Sequence, residues 1–214
     1  MKPYKTVMGR GDDEFIINKS RFIGHAVPCA DESAALAFIS DMRAQYKDAT
    51  HNCYAYVIGQ NKGIMRYSDD GEPGGTAGLP MMEVLKNRDL TNLCVVVTRY
   101  FGGILLGAGG LVRAYTQGAV AGINAAREAT MYPSQTYLIE IDYSRLGRLE
   151  HWIKDTPYRL DSRDFAAAVT CQITLKSEQE SAFRADIARL FDGKYEPVLM
   201  EEQFMAWEDG GAGS

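Results

Sequence analysis

The stretch Val97-Thr98-Arg99-Tyr100-Phe101-Gly102-Gly103-Ile104-Leu105-Leu106-Gly107-Ala108-Gly109-Gly110-Leu111-Val112-Arg113 decides how the rest of the chain reads. It follows an apolar, β-branched run, Leu93 to Thr98, whose composition predicts a buried strand over 93–100. It precedes a small-residue segment that predicts a helix over about 108–128. A strand that leaves through glycines and opens a helix exposes backbone N–H groups to an anion, and the helix dipole favours negative charge there. Upstream lies a second glycine-rich segment, Ser68-Asp69-Asp70-Gly71-Glu72-Pro73-Gly74-Gly75-Thr76-Ala77-Gly78. Eleven of the chain's 21 glycines fall between Gly71 and Gly122. Glycine is costly to order, so this density implies left-handed backbone or close approach, either for a ligand or for tight turns and helix packing.

Around this centre the pattern alternates. Residues 4–10 and 14–28 read as strands, the second containing a polar turn at Asn18-Lys19. Asp31 is placed to cap a helix over 32–46, with Ala35, Phe38, Ile39 and Met42 at helical spacing. His51–Ile58 and Ile64–Ser68 read as a strand pair. Thr76 is a candidate cap for a helix reaching Asn87, with Pro80 in its first turn. Gly118 and Gly122, one turn apart, suit close packing of the later helix on a sheet.

A break is expected at 129–134, where Pro133 and polar residues cluster and the charge balance changes. Residues 1–133 carry 14 basic and 13 acidic side chains, whereas residues 134–214 carry 9 and 15. A polyanion would therefore meet the first part. Beyond the break, strands over 136–143, 158–165, 168–175 and 195–200 and helices around 146–153 and 183–191 give the order βαββαβ, a ferredoxin-like pattern. The expected domains are 1–132 and 133–203, with a flexible tail over 204–214. The class is α+β.

Several chemistries are weighed and set aside. Gly107-Ala108-Gly109-Gly110-Leu111-Val112 lacks the last glycine of a dinucleotide fingerprint, and no Lys-Ser or Lys-Thr follows a glycine loop as a nucleotide P-loop requires. His51 and Cys53 share one strand face, yet a cysteine in so apolar a strand reads as core rather than nucleophile. Asp69, Asp70 and Glu72 are acidic enough for a cation, but Asp-Gly segments ordinarily make turns. The four cysteines are widely spaced without a CxxC pair, which predicts reduced, buried thiols. No run is long and apolar enough to be a membrane span, and a cytoplasmic protein without cofactor or metal is expected. The alternative left open is an enzyme acting on a nucleotide or phosphorylated metabolite, with Asp69, Asp70 or Glu72 as base or Mg²⁺ ligand.

The motifs Lys19-Ser20-Arg21-Phe22-Ile23, Ala49-Thr50-His51-Asn52-Cys53-Tyr54-Ala55-Tyr56 and the two glycine-rich segments resemble the IMPACT/YigZ family. The resemblance covers residues 14–128, and the C-terminal part is similar to the small domain that bacterial members append. It implies that the N-terminal domain has the fold of the second domain of ribosomal protein S5, which also occurs in elongation factor G and in small-molecule kinases. Eukaryotic members counter the activator of an initiation-factor kinase through an additional N-terminal interaction domain, so that partner does not carry over. What carries over is the motif surface: Ser20, Arg21, His51, Arg99, Tyr100, Gly102, Gly103, Gly107, Gly109, Gly110 and Arg113 for phosphate or nucleic acid, and the acidic loop Ser68, Asp69, Asp70, Gly71, Glu72, Thr76 and Gly78. The expectation is a non-catalytic RNA- or ribosome-binding regulator of translation or stress response, with a protein partner possible at the acidic C-terminal part and no membrane. It requires free amides and unneutralised guanidinium groups around the Gly102–Gly110 loop.

Overall fold

The computed structural model describes residues 2–207, and the chain divides into two units, one of residues 4–130 and one that takes up the chain from 131. The first opens with β1 (Tyr4–Val7) and the hairpin of β2 (Gly11–Ile17) and β3 (Ser20–Pro28). The expected strand over 14–28 is thus two strands, starting at Gly11. They divide at Asn18 and Lys19, whose positive φ angles of 46° and 65° match the twist of a two-residue hairpin turn. Helix α1 (Glu32–Gln45) begins as predicted, with the Asp31 carboxylate accepting from the Ala34 amide at 2.8 Å. Strands β4 (His51–Ile58) and β5 (Ile64–Ser68) follow, then α2 (Gly78–Asn87), β6 (Leu93–Tyr100) and α3 (Gly107–Ala126).

The sheet order is β2-β3-β6-β4-β5, with antiparallel pairing throughout. Central β6 is an unbroken apolar run because both of its faces are covered. Val95 and Val97 pack with Met81, Leu85, Leu111 and Tyr115 of α2 and α3. Cys94 and Val96 pack with Phe38, Ile39 and Met42 of α1 on the other side. Side-chain alternation along the strand makes this division unavoidable. Helix α3 lies so close to β3 that a Cβ built on Gly24 would stand 1.9 Å from the Gly118 carbonyl oxygen.

Under α1 the sheet buries a polar chain. His25, fully buried, holds the Asp12 carboxylate with Nδ1 and meets Thr98 Oγ1 with Nε2 at 3.2 Å; Thr98 in turn donates to Asn52 Oδ1 at 2.7 Å. The Tyr46 ring lies 5.0 Å away and Arg10 pairs with Asp12. Burial pulls the His25 proton affinity below the ordinary imidazole value of 6.5, although Asp12 opposes the shift. The unfolded chain therefore binds a proton that the folded chain resists, and stability falls as pH drops through 6.5. Thermal melts between about pH 8 and about pH 5 should show this loss, with a shallower dependence in His25→Gln. Equal slopes would remove His25 as its source.

In the second unit, β7 (Glu128–Ile141), α4 (Tyr143–Ile153), β8 (Arg159–Phe165), β9 (Val169–Lys176), α5 (Glu180–Leu190) and β10 (Val198–Ala206) give the antiparallel order β10-β7-β9-β8. This is the ferredoxin-like arrangement. Leu149 and Ile153 of α4 and Phe183 and Ile187 of α5 pack with Tyr137, Ile139, Cys171 and Ile173 of the sheet.

Three local expectations are corrected. The break expected at 129–134 is a change of unit, between residues 130 and 131, but not a gap between strands: β7 runs through it, and Pro133 stands opposite Phe204 of β10. The last strand begins later than expected, and residues 204–206 belong to it rather than to a flexible tail. Its first six residues are all exposed, so no alternation marked it in the sequence. Trp207 is held as well, its Nε1 donating to Ser134 Oγ at 2.9 Å, and the rest of the expected tail, 208–214, lies outside the described residues. Finally, Thr76 does not cap α2; its hydroxyl donates to the Pro73 carbonyl at 2.6 Å, and Ala77 holds the cap position.

Candidate anion-binding site

The two glycine-rich segments meet at the C-terminal end of β6. The acidic one is consumed largely by its own backbone. Asp69 accepts from the amides of Ala77 and Gly78 with one oxygen, at 3.1 and 2.8 Å, and from Gly75 with the other at 2.9 Å. It thereby supplies the helix cap that Thr76 does not. Gly78 is required by space, since a Cβ there would meet the Ser68 backbone at 2.8 Å. Asp70 adopts a positive φ of 45°, its amide donating to Ser68 Oγ at 3.1 Å. Its carboxylate pairs with Arg43 and accepts the Asn52 amide at 2.7 Å. Gly71 follows with a φ of 88°. Among the described residues no group of three or more His, Cys, Asp or Glu could hold a metal ion.

Glu72 is turned inward, where it is 7% exposed. One oxygen accepts from Arg99 Nη1 at 2.7 Å and from the Tyr115 hydroxyl at 2.6 Å. The other lies 3.8 Å from His51 Nε2, while His51 Nδ1 donates to the Asp70 carbonyl at 2.7 Å. Burial pushes the Tyr115 phenol far above its ordinary range. Cys53 is no partner of His51: its thiol donates to the Asp69 carbonyl at 3.0 Å, and burial holds it protonated. Cys53 is core, as expected, and all four cysteines are free and buried.

Arg99 is thus not a surface contact but half of a buried ion pair, which corrects its expected place. Register explains it. Arg99 stands opposite Phe22 and His51 and shares the face of Val95 and Val97 beneath α3. Its guanidinium carbon lies 5.6 Å from the Phe22 ring centroid and 5.4 Å from that of Phe101. Only Nη1 finds an acceptor; Nε is buried without one.

The second glycine segment begins under restraint and then opens. The Phe101 amide donates to Thr50 Oγ1 at 3.0 Å and the Gly102 amide to Ser20 Oγ at 3.1 Å, so Ser20 supports the loop. A Cβ on Gly102 would stand 2.0 Å from the Lys19 carbonyl carbon, which sets the β2–β3 turn against the loop. From Gly103 to Gly109 no amide donates to an acceptor among the described residues. Helix α3 starts at Gly107 with no side-chain cap and no acidic residue in its first turn. Arg113 folds back over that turn, its Nη1 3.7 Å from where a Gly109 Cβ would be. Lys19 and Arg113 are exposed, and neither forms an ion pair with a described carboxylate. Arg21 is exposed too, but pairs with Glu14 and lies 5.8 Å from the Tyr100 ring, whose hydroxyl donates to Asp48.

Of the expected contacts, Gly103, Gly107 and Gly109 therefore carry the amides without an internal acceptor, Gly110 and Arg113 belong to the start of the helix that follows, Ser20 and Gly102 anchor the loop, and Arg99 and His51 are turned to Glu72 instead. Sequence reasoning left open that the arginines pair with Asp69, Asp70 or Glu72, which holds for Arg99 with Glu72; it missed the Tyr115 hydroxyl as a second donor to Glu72 and the support that Thr50 gives the loop. An arginine ending an apolar strand was the available signal, because a buried guanidinium needs a carboxylate.

Comparison with known proteins places this geometry in a lineage. The profile of the Impact N-terminal domain matches residues 18–123, and that of a domain of unknown function, DUF1949, matches residues 139–194. The IMPACT family member YvyE of Bacillus subtilis is 41% identical over 191 residues, covering 89% of this chain and 88% of that protein. The IMPACT family member YigZ of Escherichia coli is 34% identical over 188 residues, covering 87% of this chain and 92% of that protein. A solved structure described as that of a hypothetical protein superposes with a TM-score of 0.60 at 32% identity, covering 95% of this chain and all of that one. With the glycine segments, the two units and these relatives in agreement along most of its length, the chain belongs to the IMPACT family.

Proposed function

We propose that the chain is a non-catalytic, RNA- or ribosome-binding regulator of translation or stress response, acting in the cytoplasm. Phosphates dock on the Gly103–Gly109 amides between Lys19 and Arg113. The observation that carries this reading is the run of amides without an internal acceptor, opening an uncapped 20-residue helix beside two uncompensated cations. Arg21 joins them when it exchanges Glu14 for a phosphate, an exchange its exposure permits. The acidic C-terminal unit orients the contact or binds protein. Among the described residues no helix is long and apolar enough to cross a membrane.

The rival reading, an enzyme using Asp69, Asp70 or Glu72 on a phosphorylated substrate, draws no support from the acidic loop. Those carboxylates are engaged by backbone amides, Arg43, Arg99 and Tyr115.

Filter binding of RNA across a salt series tests the proposal. Affinity should fall between about 50 and about 200 mM salt, and Lys19→Gln and Arg113→Gln should each reduce the logarithmic slope by about 0.7–0.9. A flat affinity would sink it.

A further inference from the structure

We infer that this loop takes single-stranded nucleic acid, its bases lying against Leu105 and Phe101 while its phosphates meet the amides; the inference rests on the RNA-binding reading above. Leu105 is 84% exposed, more than any other large apolar side chain among the described residues. Ordinary packing does not explain its placement. Gly103 and Gly107 bracket it with φ angles of 84° and 69°, and a Cβ at either would meet nothing within 4 Å. These glycines therefore serve the direction of the backbone rather than a shortage of room. The turn they make sends Leu106 onto the core of α2 and α3 and leaves Leu105 at the apex. Phe101 and Ile104, 45% and 43% exposed, flank it.

Behind Phe101 stands Arg99, 5% exposed, with its Nε unsatisfied 27 residues in sequence from its one carboxylate partner. Glu72 meets the charge itself, so what Arg99 adds is one buried N–H donor without an acceptor beside the Phe101 ring, while the charge for an arriving anion comes from Lys19 and Arg113. The apex is thus apolar, the surrounding backbone is electropositive, and the two free cations, Lys19 and Arg113, are on either side. A duplex presents rows of phosphates but keeps its base faces stacked, so Leu105 and Phe101 would meet none of them. A single strand offers a base face beside each phosphate, which matches this alternation of apolar and donor groups. Two free cations on a chain of net charge −5 hold only a short segment.

The test uses the full chain and a fluorescently labelled RNA of about sixteen nucleotides, single-stranded or annealed to its complement, with 2-aminopurine at internal positions of the single strand. The single strand should bind about tenfold or more tightly than the duplex, with a change in 2-aminopurine emission. Leu105→Ala should weaken single-strand binding about tenfold and abolish most of that change. Arg113→Gln should weaken binding and lower the salt slope while leaving the emission change of the bound strand intact. Equal binding of duplex, or an unaltered Leu105→Ala, overturns the inference while leaving the RNA-binding reading standing. Absence of binding to either form overturns both.

Discussion

Glu72→Ala lowers the stability of the first unit by about 3–5 kcal/mol, measured as a shift of the urea midpoint at constant m. The reason is what remains when the carboxylate is gone. Arg99 keeps its charge at 6% side-chain exposure between two aromatic rings, and its Nη1 joins Nε without an acceptor. The Tyr115 hydroxyl, already buried, loses its acceptor as well. Each uncompensated group adds a desolvation penalty that neither can escape by rotating to water. Glu72→Gln should cost less, since an amide oxygen still accepts from one donor. The double variant Glu72→Gln, Arg99→Met should be more stable than the sum of the two single losses predicts, because it removes both charges together. A loss below about 1 kcal/mol for Glu72→Ala would mean that water reaches Arg99 and that the pair is not buried in solution.

Gly24→Ala is expected to be as severe, by at least about 3 kcal/mol or by failure to accumulate folded protein. The added methyl would lie 1.9 Å from the Gly118 carbonyl oxygen and 3.0 Å from the Gly122 amide nitrogen. Both are backbone atoms of α3, so no side chain can swing aside; the helix must leave the sheet. Val97, which packs against Gly118 at 2.8 Å from its missing Cβ, would lose its contact in the same movement. Gly74→Ala is the control, since a Cβ there meets nothing within 4 Å, and it should change stability by no more than about 0.5 kcal/mol. Similar midpoints for the two variants would show that β3 and α3 separate without penalty.

These two sites also show what a sequence makes legible. The buried strand over 93–100 could be read directly because a strand covered on both faces leaves a continuous β-branched run. Gly118 and Gly122 could be read as packing glycines because they recur at one helical turn, although Gly24, the surface they pack against, carries no such period. The Arg99–Glu72 pair could be read only as one option among three carboxylates: its members are 27 residues apart, and the acidic segment looks the same whether its carboxylates face water or core. The contact of Gly102 with Ser20, 82 residues apart, is likewise a product of register between β3 and β6. Pro133 misled for the opposite reason. Proline marks the end of a strand by local rules, whereas here β10 pairs with β7 on one edge and holds it extended through Pro133.

Because the glycine loop proposed to meet phosphates emerges directly from the end of β6, the middle strand packed by helices on both faces, its starting point is backbone held by buried contacts on either side. A visiting strand would find its donors already in position, and the entropy lost on association would fall mainly on the guest.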